Sequence, residues 1–135
     1  MAFVLDASVT ASWFFPDEND QDAWEAWRRS EKEQMWAPLH WWFEVRNTML
    51  VGERKKRLSK ALTSRALSRL SVLPISIDPR PDDNAVFNLA RTHRLTFYDA
   101  VYLELAARRK VPLATLDGDL IAAAKAEQVG LVTAT

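Results

Sequence analysis

The chain has no cysteine. That excludes a disulfide framework and any zinc site built on thiolates. It accords with a reducing compartment, and a cytoplasmic protein is the expectation. Glycine is scarce as well, with three in 135 residues. Neither GxGxxG nor the P-loop pattern occurs, so a glycine loop cradling a nucleotide phosphate is excluded. Long apolar runs are also missing. None approaches the roughly 20 residues that span a bilayer. The first apolar run is cut by Asp6 and no basic residue precedes it, which is unlike a secretory leader. The expectation is a soluble chain with no membrane partner. No repeat or low-complexity segment is present. Residues 1–135 have the length of one domain and can bury a core without covalent staples.

Net charge is also lacking, but the zero hides an asymmetry. Residues 1–53 hold ten acids and four bases, and residues 54–135 hold eight acids and fourteen bases, so the halves are −6 and +6. Two differently decorated solvated faces would explain this. So would a basic surface for a polyanion beside an acidic site. All six tryptophans fall between Trp13 and Trp42. That is more than one helix pair needs for packing, and Trp13, Trp24, Trp27 and Trp42 are candidates for a partner-binding surface.

The pattern of apolar residues alternates strands with helices. AFVLD (2–6), residues 34–37, ISID (75–78), the run from Pro112 and LVTA (131–134) read as strands. Helices are predicted over 7–14, 21–33, 39–53, 60–71, about 83–92, 97–110 and 119–127, with Asp20, Ser59, Asp82 or Asp83, and Thr96 as caps. Leu39, Trp42, Phe43, Arg46 and Leu50 fall along one side of the third helix. The class is α/β, a three-layer α/β/α arrangement around a central, mainly parallel sheet of roughly five strands.

In such sheets ligands bind beyond the carboxyl ends of the strands. Asp6 follows one predicted strand and Asp117 another. Either alone reads equally well as a helix cap; two at one edge read as a site. Glu44 interrupts the most apolar helix, and Asp99 lies one turn into another. A charge in such a run is either at a boundary or buried with a partner. Asn47 lies one turn beyond Glu44, Ser8 and Thr115 flank the two strand-end acids, and Asp119 either joins the acids or caps the last helix. His40 reads as a boundary residue. Carboxylates gathered in one pocket raise one another's pKa unless a cation compensates them. Oxygen ligands without sulfur select a hard ion, Mg²⁺ or Mn²⁺, and such a site suits a phosphodiester.

These segments resemble the PIN domain and, within it, the VapC-like toxins of toxin–antitoxin pairs. VLDASV is similar to the family's opening strand and first acid. APLHWWFEVRNTML is similar to its second block, and LTFYDAVYLELAARRKVPLATLDGDL to its third and fourth. The resemblance covers nearly the whole chain. It implies a metal-dependent ribonuclease, usually a homodimer, held inactive by a cognate antitoxin protein. It implies Asp6, Glu44, Asp99 and Asp117 as the acidic quartet, with Asp6, Asp99 and Asp117 holding the metal and Glu44 as ligand or water-orienting base. Asp119 matches a position that is acidic in only some members.

Arg54, Lys55 and Lys56, and separately Arg108 and Arg109, are candidate contacts for RNA phosphates, although solvated helix ends explain them too. Two other readings compete with the nuclease. One is a non-catalytic binding module that uses the tryptophan surface. The other is a phosphoacceptor receiver, which needs a lysine near its last strand, where LVTAT has none.

Overall fold

The computed structural model describes residues 1–135. Its elements follow the order β1 (Ala2–Leu5), α1 (Ala7–Phe14), α2 (Gln21–Ser30), β2 (Gln34–Pro38), α3 (Leu39–Arg54), α4 (Lys60–Leu70), β3 (Ile75–Asp78), α5 (Asp83–His93), α6 (Phe97–Arg109), β4 (Leu113–Ala114) and α7 (Gly118–Ala126). The sheet has four strands in the order β3-β2-β1-β4, and every pairing is parallel. Val4 pairs with both Trp36 and Leu113, which makes β1 an interior strand. Covered on both faces, Phe3, Val4 and Leu5 are wholly buried, as parallel sheets require. α6 crosses one face with α5 and α7 beside it, while α1 packs on α2, α3 and α4 on the other.

Strand order reverses at β1. The chain runs outward through β2 and β3, then returns to place β4 on the other side of β1. The crevice beyond the ends of β1 and β4 is therefore the switch point, where α/β sheets bind ligands. The predicted fifth strand is reduced to one parallel bridge, Leu131 to Leu113. Val132 N–H still donates to Leu113 O at 3.0 Å, but Ala134 N–H turns away to Asp22 Oδ1 at 2.8 Å, and pairing stops there.

Asp20, Ser59, Asp82 and Thr96 all cap helices through side-chain oxygens. α3 buries the side opposite the stripe noted in the sequence. Its core stripe is Trp41, Val45, Met49 and Gly52, and Leu39, Trp42, Phe43 and Leu50 point outward. Gly52 is required by close approach: a Cβ there would run into the Phe15 ring. The tryptophans divide between core and surface. Trp13 is only 7 % exposed, and its Nε1–H donates to Ala23 O at 2.7 Å. Trp41 is likewise buried, with its Nε1–H on Thr10 Oγ1. Trp27 is half-buried against Trp13 and Phe14. The reading of Trp13 as partner surface is thus corrected: helices this short, packed on small neighbours such as Ala23 and Ala26, need large rings to fill the interior. Trp24 and Trp42 remain exposed, on separate helices.

Candidate active site

β1 ends in Asp6, whose extended backbone makes it the N-cap of α1. Oδ1 of Asp6 accepts from Val9 N–H at 2.9 Å and from Ser8 Oγ–H at 2.7 Å. Ser8 Oγ in turn accepts from Leu116 N–H at 3.0 Å, stitching the end of β1 to the segment after β4. Thr115 also bonds Asp6, and its Oγ1 accepts from Asp117 N–H at 3.1 Å. Asp6 is 4 % exposed. Burial pushes its carboxyl up to about 6, against the opposing pull of its hydrogen bonds from Thr115, Val9 and Ser8.

Asp117 caps α7, and its Oδ1 accepts from Asp119 N–H at 2.9 Å. The helix accordingly begins at Gly118, so Asp117, and not Asp119, is the cap. α6 contributes Asp99 in its first turn, fixed by Asp99 N–H donating to Thr96 Oγ1 at 3.1 Å. Partial burial raises the Asp99 carboxyl first, and the charges of Asp117 and Glu44 add to the effect. α3 contributes Glu44. Its Oε1 accepts from the buried Tyr102 Oη–H at 2.6 Å and lies 3.3 Å from His40 Nε2. The His40 ring packs against Tyr98 and Tyr102, so it buttresses Glu44 from behind.

Asp6, Glu44, Asp99 and Asp117 line one pocket of about 460 Å³. Asp6 and Asp117 come from the N-caps of α1 and α7, Asp99 from the first turn of α6 and Glu44 from within α3, so the fold, not local sequence, brings them together. Glu18, Thr48 and Tyr102 share the lining, and sequence reasoning assigned none of them to the site. Helical spacing could have found two of the three, because Thr48 is one turn beyond Glu44 and Tyr102 one turn beyond Asp99. Glu18 sits in a turn, where spacing carries no such signal. Asn47 and Asp119 are exposed and lie outside the pocket lining. For Asn47 the cause is helix phase: the wall follows the i+4 neighbour of Glu44, not the i+3 neighbour.

The donor set suits a hard divalent cation in kind: carboxylates and hydroxyls, no sulfur, and two acids held above their ordinary pKa by burial and like charge. No three of the acidic or histidine side chains are arranged to hold one ion between them as they stand.

Of the candidate phosphate contacts, Arg54, Lys55 and Lys56 are exposed and in no ion pair. Arg108 and Arg109 are already engaged. Arg108 bonds Asp78 at 2.9 Å and Glu104 at 2.7 Å, while Arg109 bonds Asp78 at 3.0 Å and lies 3.4 Å from the centre of the Trp36 ring. Asp78 and Glu104 are buried and need these counter-ions, which removes both arginines from the phosphate-contacting set.

No helix is long and apolar enough to cross a membrane. No curated protein sequence matches the chain. Among solved structures it is similar to PAE2754 from Pyrobaculum aerophilum, at 25% identity and a TM-score of 0.70, over 91% of this chain and 79% of that one. It is similar to FitAcB from Neisseria gonorrhoeae at 19% identity and a TM-score of 0.64, over 98% and 97%. It is also similar to VapC20 of Mycobacterium tuberculosis, a sarcin–ricin loop cleaving toxin, at 17% identity and a TM-score of 0.58, over 90% and 94%. The PIN domain model matches residues 3–126, spanning the sheet and every acid that lines the pocket, and the chain belongs to the PIN domain family.

Proposed function

We propose that this protein is a divalent-metal-dependent endoribonuclease and the toxin of a toxin–antitoxin pair, acting on RNA in the cytoplasm. The observation that carries the reading is the convergence of Asp6, Glu44, Asp99 and Asp117 on one pocket at the switch point of the sheet. The likeness to a toxin that cleaves the sarcin–ricin loop supports RNA as the substrate class.

Asp6, Asp99 and Asp117 would hold Mg²⁺, or Mn²⁺ in its place, since their oxygens suit a hard ion. A bound Mg²⁺ would supply charge stabilisation at the scissile phosphate and lower the pKa of a water. The chain's own residues do the positioning. Ser8 and Thr115 fix the rotamer of Asp6. Tyr102 takes up one oxygen of Glu44, leaving the other to orient the attacking water. Arg54, Lys55 and Lys56 offer free cations to the RNA backbone. A cognate antitoxin and a second copy of the chain are the protein partners.

The test is cleavage of a defined single-stranded RNA with Mg²⁺ present. Asp99→Asn is expected to lower the rate at least 100-fold while the circular dichroism spectrum stays unchanged. Cleavage by Asp99→Asn at the wild-type rate would sink the assignment.

A further inference from the structure

The turn between α3 and α4 carries a fourth cation that behaves differently from its neighbours. Arg54, Lys55 and Lys56 are free, but Arg57 is held by two carboxylates from the loop after α1. Its Nε and Nη2 donate to the two oxygens of Asp17 at 2.8 and 3.0 Å, and Nη2 also donates to Glu18 Oε2 at 3.0 Å. The guanidinium lies 4.5 Å from the centre of the Phe15 ring. That ring packs where Gly52 has no side chain, so the seat of Arg57 is fixed by the fold. Glu18, the second of the two carboxylates, also lines the acidic pocket.

This arrangement exceeds what a loop staple needs. Asp17 alone satisfies the guanidinium fork in two-pronged fashion, and the Arg57 side chain is 39 % exposed, so the clasp contributes little to stability. Glu18 adds a further negative charge at the rim of a pocket already lined by four acids, where it opposes the approach of a polyanion. Carboxylate and phosphodiester offer arginine the same pair of oxygens. We propose that Arg57 is a phosphodiester-binding position at the mouth of the acidic pocket, seated on Phe15 and masked by Asp17 and Glu18 until an RNA phosphate displaces them. The proposal rests on the ribonuclease reading and adds an entry step to it. The phosphate takes the place of both carboxylates on Arg57, and the strand is led from the basic turn toward Asp6 and Asp99.

The test is binding of a fluorescently labelled single-stranded RNA, read by anisotropy against salt in a calcium buffer, with cleavage by the wild type in Mg²⁺ measured in parallel. Glu18→Gln is expected to tighten binding by about 3- to 10-fold. Arg57→Ala is expected to weaken it by a similar factor and to flatten the salt slope by about 0.7, the value of one single-strand phosphate contact. In Glu18→Gln/Arg57→Ala the gain disappears. Arg57→Lys, which keeps the charge but not the fork, falls between. The mask is overturned if the Glu18→Gln gain persists without Arg57, because the gain is then simple removal of a negative charge. The subsite is overturned if Arg57→Ala binds with wild-type affinity and slope while the wild type cleaves RNA. A wild type that neither binds nor cleaves overturns the ribonuclease reading and this proposal together.

Discussion

Asp6 caps a helix and lines a pocket with the same carboxylate, and the two roles have opposite electrostatic requirements. Its hydrogen bonds favour the anion, but burial outweighs them and raises the carboxyl from 3.8 to about 6. A raised carboxyl means that the folded chain binds the proton more tightly than the unfolded chain. Stability is therefore highest below the ordinary pKa, is lost as pH rises from about 4 to about 6, and stays low above that. The rise of the carboxyl from 3.8 to about 6 corresponds to roughly 3 kcal/mol of latent destabilisation at neutral pH. Asp6→Asn keeps an acceptor for Val9 and Ser8 and carries no charge. In chelator it should melt higher than wild type at pH 7.5, by several degrees, and the difference should vanish near pH 4. It should also lose RNA cleavage. Thermal unfolding at both pH values checks this, and a lower melting temperature for Asp6→Asn at pH 7.5 would show that the carboxylate is already compensated.

At the scale of elements, α6 is held at both ends. Its first turn places Asp99 in the pocket, and its last turn places Arg108 and Arg109 on Asp78 at the end of β3. Asp78 is buried while its two partners are about one-third exposed, so the pair is worth less than a fully buried one. Asp78→Ala should cost about 1–3 kcal/mol in urea unfolding. Part of that cost should appear as weaker divalent-ion binding, because α6 loses the anchor that sets the position of Asp99. A loss of stability with unchanged metal affinity would confine Asp78 to a packing role.

The same elements show how far sequence reading goes. Strand ends and caps were legible, because Asp, Ser and Thr before an apolar run have one dominant local use. The buried face of α3 was not. Apolar residues lie all round it, so Leu39, Trp42, Phe43 and Leu50 form as convincing a stripe as Trp41, Val45 and Met49 do. Only tertiary packing distinguishes them. The pairing of Arg108 and Arg109 with Asp78 was equally hidden, since about 30 residues separate the partners and neither sequence segment reports the other. Asp6 and Asp117 were legible by position at strand ends, Glu44 and Asp99 as charges within apolar helices, and all four by family resemblance. Their shared pocket depends on the reversal of strand order at β1, which the element string alone does not encode.

At the scale of the whole molecule, the exposed stripe of α3 bears on association. Leu39 and Phe43 are 57% and 61% exposed, and the rings of Phe97 and Tyr98 extend the same surface from the start of α6. With Pro38, Pro79 and Pro81 they border a hollow of about 310 Å³. A monomer that exposes so many large apolar groups side by side is marked for association. The family resemblance makes a second copy the expected occupant, and a two-fold pairing would place the same patch on both sides. The protein should therefore sediment as a dimer at micromolar concentration, with a melting temperature that rises with concentration. Phe43→Glu puts a charge at the centre of the patch on a residue that lies outside the core. It should yield a folded monomer whose melting temperature no longer depends on concentration. Analytical ultracentrifugation decides the matter: a wild-type monomer at these concentrations would leave the α3 face to a different partner, whereas a Phe43→Glu dimer would move the self-association surface elsewhere. Because Glu44 follows Phe43 directly on α3, the monomer also shows whether pairing is what holds that acid toward the pocket. If it is, cleavage falls together with dimerisation and recovers at protein concentrations that drive Phe43→Glu back into the dimer.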